Sequence, residues 1–140
     1  MSLLGRAALI VVASAVAGIV DAGGASAEPG ADGRLYGAMA VEVVGDEVHT
    51  IWASDFPSWA DADASVLGRC SSANCNVIVR FVDGCGSIAA KKGAMIGRSA
   101  PTKAEAEQAA VDAFGPPVTS FSAAPPRANI LRTECTSNAE

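Results

Sequence analysis

The chain has 140 residues, half of them hydrophobic but only 5% aromatic, and a formal net charge of −5. That length holds one domain, and the scarcity of aromatic residues leaves few large side chains to fill its core. The basic residues are scattered among acids, so the clustered basic face that phosphate-backbone binding requires is missing and nucleic acid is excluded as an expected partner.

The chain begins with Arg6, an apolar run from Ala7 to Val20 and the small-residue site Ala25-Ser26-Ala27. These are the three parts of a secretory signal, which places a signal peptide over residues 1–27 with cleavage after Ala27. The apolar run is shorter than the ~20 residues that cross a hydrocarbon core, so no membrane span is expected after cleavage. No cysteine follows the leader to carry a lipid. The expected destination is secreted, extracellular or in the cell envelope. Residues 28–35 are rich in turn formers and read as a flexible N-terminal tether.

From Tyr36 onward one pattern occurs twice. Tyr36–Val41 parallels Cys85–Ala90, Pro57–Asp63 parallels Pro101–Glu107, and Ile78-Val79-Arg80 before Cys85 parallels Ile130-Leu131-Arg132 before Cys135. In the first half Tyr36–Val44 and Val48–Ala53 are β-rich and joined by Gly45-Asp46-Glu47, a hairpin-length connection. In the second half Cys85–Ala90 and Ala94–Gly97 flank Lys91-Lys92-Gly93. Ser58-x-x-Asp61 and Thr102-x-x-Glu105 each follow a proline and start a helix, the second as a capping box. One face of the first helix collects Trp59, Ala62, Val66, Leu67 and Cys70. The matching face of the second collects Ala106, Ala109, Ala110, Ala113 and Phe114. Asn76–Val82 is a nearly continuous apolar run, which predicts a central strand, and Ala128–Thr133 is its weaker counterpart. Gly115–Pro126, with four prolines, reads as an extended loop. The predicted fold is α+β: two pseudo-repeated ββαβ halves form one sheet, with two helices packed on one face and two disulfides bracing it. The single duplicated domain spans residues 36–135, followed by a tail at 136–140.

Four cysteines in a small exported chain imply two disulfides with three possible connectivities. Cys85 and Cys135 stand at equivalent ends of the two halves, whereas Cys70 and Cys75 both lack a counterpart in the second half. Partners that come and go together give Cys70–Cys75 and Cys85–Cys135. Cys70-x4-Cys75 is wider than a zinc knuckle and His49 is the lone histidine, so no metal or other cofactor is expected. Redox catalysis favours Cys-x-x-Cys at a helix N-terminus, whereas Cys70 falls at a helix C-terminus.

No catalytic set emerges. There is no Gly-x-Ser-x-Gly elbow, and Asp61/Asp63 and Glu105/Glu107 are spaced i, i+2, so they do not face each other on a helix. Gly84-Cys85-Gly86 is too short for a phosphate loop. Trp52, Phe56 and Trp59 cluster around the second strand and the first helix start, either as core or as an exposed partner-binding patch. Arg80 and Arg132 occupy matched repeat positions, consistent with a shared structural ion pair or with a two-fold surface feature.

The succession Tyr36–Val41, Arg69-Cys70, Cys75–Val79, Cys85-Gly86-Ser87 and Thr102–Ala106 resembles a family of small secreted domains of mycobacteria and related actinobacteria, catalogued as a domain of unknown function. The resemblance covers residues 36–135. It departs in the second half, where the strand before the second helix shrinks to Ala94–Arg98, a second cysteine pair is missing and Gly115–Pro126 replaces a tight turn. The resemblance implies export and a compact fold and names no reaction.

The leading expectation is a non-enzymatic secreted or envelope-associated domain that binds an unknown protein or envelope partner, host-directed if the source is a pathogen. A second is a small secreted hydrolase acting on envelope material through Glu42, His49 or Asp55. A third is a protease inhibitor acting through the proline-rich loop.

Overall fold

The computed structural model describes residues 29–116 and 126–139. The segment expected to be a leader, 1–27, and most of the proline-rich loop, residues 117–125, lie outside the described residues. Eight elements follow in the order β1 (Tyr36–Val44), β2 (Glu47–Phe56), α1 (Trp59–Leu67), β3 (Cys75–Val82), β4 (Cys85–Lys91), β5 (Ala94–Ala100), α2 (Lys103–Asp112) and β6 (Asn129–Cys135).

The strands form two three-stranded antiparallel sheets, β2-β1-β3 and β5-β4-β6, rather than the single sheet expected from the sequence. Helix α1 packs on the first sheet and α2 on the second, while β3 lies against β4 and β5 and β2 against β6. The two sheets therefore stack face to face with one helix outside each, in four layers, and the helices do not share a face. The physical reason lies in β1 and β3. Ala38 and Ala40 face α1 with Ala53, Ala62 and Val66. The alternate residues Met39, Val41, Val79 and Phe81 form a second apolar surface that closes on Ile88 of β4. A single sheet carrying both helices on one side would leave that second surface in water.

Close stacking depends on glycine. A Cβ on Gly86 would sit 2.5 Å from the Phe81 ring, and one on Gly97 would sit 2.6 Å from the Ile78 carbonyl oxygen and 2.7 Å from Val79 Cβ. The chain passes between sheets through Asp83-Gly84, with Asp83 at φ 45°, a left-handed conformation that Asp tolerates better than most residues.

Strand β3 is an edge strand and β1 is the central one, a correction to the position expected for Asn76–Val82. Its apolar run reflects cover on both faces, by α1 and by the second sheet, and not hydrogen-bonded neighbours on both sides. The helix starts are capped. Ser58 Oγ accepts from Asp61 N–H at 3.1 Å and donates to Asp61 Oδ2 at 2.6 Å. Thr102 Oγ1 accepts from Glu105 N–H at 3.3 Å and donates to Glu105 Oε2 at 2.8 Å. The reciprocal bond thus runs to the cap hydroxyl, where a capping box uses the cap backbone N–H.

Two disulfides close the frame. Cys70–Cys75 ties the end of α1 to the start of β3, and Cys85–Cys135 joins register partners on β4 and β6. Beyond Cys135, Thr136 donates from N–H and Oγ1 to Gly84 O, Ser137 N–H donates to Asp55 Oδ1 at 2.7 Å, and Asn138 Nδ2 donates to Asp83 Oδ1 at 2.8 Å. The segment read as a tail thus docks on two aspartates of positive φ, Asp55 and Asp83.

Candidate functional site

The three aromatic residues singled out in the sequence do not form one patch. Trp52 packs against the inter-sheet cluster, roofed by the Arg132 guanidinium 3.4 Å from the ring centroid. That geometry is worth about 0.5–2 kcal/mol. Arg69 also donates to the Trp52 carbonyl. Phe56 packs on the opposite side of the first sheet, in the cluster under α1. An extra residue in β2 separates them: Tyr36 pairs with Phe56 and Ala38 with Ala53. This bulge at Ser54-Asp55 inverts the alternation that would put residues 52 and 56 on one face. Trp59 alone is exposed, at 47%, and makes an edge contact with Tyr36 at 5.3 Å between centroids. It was expected on the inner helix face. As the first residue of α1 it touches the sheet only at its end, and Leu67 at the last turn is likewise exposed while Ala62 and Val66 are buried.

Trp59 borders a cleft of about 230 Å³ between the end of β3 and the end of β5, lined also by Arg80, Asp83, Ser99 and Pro101 with Phe81 beneath. Phe81 is 2% exposed and forms a rigid floor. The charged residues of its lining are held by internal bonds. Arg80 Nε donates to both Asp63 oxygens and Nη2 to Oδ2, at 2.7 to 3.0 Å, and this fork raises the guanidinium pKa further. Asp83 Oδ1 accepts from Leu35 N–H at 3.0 Å and from Asn138. Those two bonds, with Arg34 nearby, hold its carboxyl below the usual range. Tyr36 donates its hydroxyl to Asp32 Oδ2 at 2.5 Å, which lowers the Asp32 pKa and raises that of Tyr36.

A second groove, about 290 Å³, lies at the other end of β3 between Val41, Val43, Ile78 and Met95, with Asn74 and Asn76 at its rim. It holds no charged or aromatic side chain.

The residues considered for hydrolysis are not gathered. Glu42 and His49 are register partners, but Glu42 is 4% exposed and turned into the loop after α1. Its Oε1 accepts from Ser71 N–H at 2.6 Å, Ser71 Oγ at 3.0 Å and Ser72 N–H at 2.5 Å. Burial favours the protonated acid, yet the Ser71 and Ser72 donors outweigh it and keep the pKa below the ordinary value. His49 is exposed beside Glu47 at 3.3 Å. Asp55 lies at the far end of the hairpin, accepting from Ser137. Glu42 organises the loop between Cys70 and Cys75. Arg80 and Arg132 each have their own carboxylate, Asp63 and Glu134, rather than a shared ion pair.

Among the described residues no group of His, Cys, Asp and Glu side chains is arranged to hold a metal ion, and no helix is long and apolar enough to cross a membrane. Sequence reading missed Asp83, Ser99 and Tyr36 as partners of Trp59. The Asp83-Gly84 dipeptide, a left-handed turn signal, marks where β3 leaves the first sheet and was the one available pointer to this end of the molecule.

Fold and cleft together define a disulfide-braced α+β domain in four layers with an aromatic-rimmed cleft where the edge strands of its two sheets end. The chain belongs to the family described as Domain of unknown function (DUF4189), whose model matches residues 36–124. No curated protein and no solved structure matches the chain.

Proposed function

We propose that the chain is an exported binding domain, secreted or held in the cell envelope, that engages a partner through the Trp59 cleft without catalysing a reaction on it. The observation that carries this reading is the exposed indole of Trp59 beside a largely apolar cleft whose charged lining residues are fixed by their own ion pair and hydrogen bonds. Large exposed aromatics next to pre-organised polar groups are the features from which binding energy is drawn. Two disulfides and the leader-like segment at 1–27 support an oxidising destination. The family resemblance read in the sequence supports an actinobacterial envelope as the setting. The duplicated ββαβ pattern is supported by the equivalent order of the two sheets, each with its first strand in the centre.

The test is capture from an envelope fraction by immobilised mature protein, beside Trp59→Ala and Trp52→Ala variants. The proposal expects a captured set that Trp59→Ala loses and a folded Trp52→Ala retains. Identical capture by Trp59→Ala would remove the cleft from the function.

A further inference from the structure

The cleft beside Trp59 has a composition that narrows its ligand. The Arg80 guanidinium is anchored to Asp63 through Nε and Nη2, and its Nη1 has no hydrogen-bond partner among the described residues. Asp83 is anchored through Oδ1, and among the described residues its Oδ2 has only Arg34, at 3.9 Å. Arg80, Asp83, Ser99 and Trp59 all line the cleft, so its lining combines an anchored donor, an anchored acceptor, a hydroxyl able to serve as either and an exposed indole. The two charges are opposite in sign, so a strongly acidic or strongly basic ligand would be attracted by one and repelled by the other.

A neutral ring bearing adjacent hydroxyls fits all of these groups. One hydroxyl accepts from the guanidinium, its neighbour donates to the carboxylate, and the ring's C–H face lies on the indole. At about 230 Å³ the cleft is below the size of a drug-sized pocket and suits a single ring. A proline-rich peptide fits less well. Grooves that grip it are lined by open aromatic rings, whereas Tyr36 is occupied by its edge contact with Trp59 and by its bond to Asp32.

The geometry points to this cleft as a saccharide-binding site, in which Trp59 stacks on one sugar ring of a glycan while Arg80, Asp83 and Ser99 bond its hydroxyls. This deepens the function proposed above and rests on it.

The chain has two tryptophans, so the indole N–H resonances of ¹⁵N-labelled mature protein give a reporter at Trp59 and an internal control at Trp52. The probes are tetrasaccharides of β-linked glucose, β-linked N-acetylglucosamine and α-linked glucose, with a proline-rich decapeptide as comparator. The expected result is a saturable shift of the Trp59 resonance with at least one saccharide and none at Trp52. Read through the Ser99 and Ala100 amides, affinity falls roughly tenfold or more in Trp59→Ala and measurably in Ser99→Ala. An unchanged Trp52 resonance shows that each variant is folded. No shift with any saccharide, shifts undiminished in Trp59→Ala, or a response to the peptide alone would each overturn the assignment. If these fail while Trp59-dependent capture persists, the ligand class is wrong and the binding role stands. If capture also ignores Trp59, both fall.

Discussion

Removing the two disulfides one at a time should destabilise the domain by clearly different amounts. Cys85–Cys135 closes a separation of 50 residues and Cys70–Cys75 one of 5. With a loop-closure entropy growing as 1.5R ln n, the first contributes about 4 kcal/mol at 25 °C and the second about 2. Cys85 is fully buried, so replacing both cysteines of that pair by alanine also leaves a small void, which widens the gap. Net stabilities of domains this size are about 5–15 kcal/mol, so losing the long bridge removes a large share and losing the short one a modest share. The assay is thermal unfolding of the mature protein followed by far-UV circular dichroism, comparing Cys85→Ala/Cys135→Ala with Cys70→Ala/Cys75→Ala. At roughly 4–8 °C per kcal/mol, the midpoint of the first variant should fall below that of the second by roughly 8–16 °C. Equal losses, or a larger loss on removing Cys70–Cys75, would refute the loop-entropy reasoning and make the α1–β3 clip the main brace.

Three further outcomes follow from the packing and the charges. Gly97→Ala should destabilise by about 1–3 kcal/mol, measured by denaturant titration, because the new methyl meets the Ile78 carbonyl oxygen and Val79 Cβ between stacked sheets. Thr102→Ala should cost about 1 kcal/mol by the same titration, since it removes the acceptor of Glu105 N–H and its return bond. Glu42, Asp32 and Asp83 are all held below their ordinary values of 4.5, 3.8 and 3.8. Their contribution is therefore complete above those values and is lost as pH falls through the lower folded-state ones. Melting temperature should be flat from neutrality down to about pH 5 and drop on further acidification, with a shallower drop in Glu42→Gln.

Local features were legible where one short segment determines them. Ser58 and Thr102 announce the helix starts through their own hydroxyls, and Gly45 announces the hairpin because its two-residue turn, Gly45-Asp46, needs a left-handed residue there (φ 62°). The spacing of Ala62 and Val66 marks the buried face of α1. Features set by what lies across the molecule were not legible. Met39, Val41, Val79 and Phe81 looked like one side of strands in a shared sheet, yet they define a surface that only a second sheet covers. Gly97 is a poor strand former taken alone, whereas with Gly86 it marks where the sheets meet. The bulge at Ser54-Asp55 sends Phe56 to the face opposite Trp52, and no alternation count from the sequence anticipates it. Trp59 obeys helical spacing with Ala62 and Val66 but meets the sheet only at its end, through Tyr36, and stays half exposed. The cleft joins residues 59, 80–83 and 99–101, three segments brought together only when the edge strands β3 and β5 meet.

The most direct check is an intact-mass measurement on native protein from fractionated cultures, without reducing agent. A covalently braced binding domain built for an oxidising compartment should be found outside the cytoplasm, beginning at Glu28, with a mass lowered by the four hydrogens lost to two disulfides. Recovery of the full 140-residue chain from the cytosol with all four thiols reduced would contradict that account.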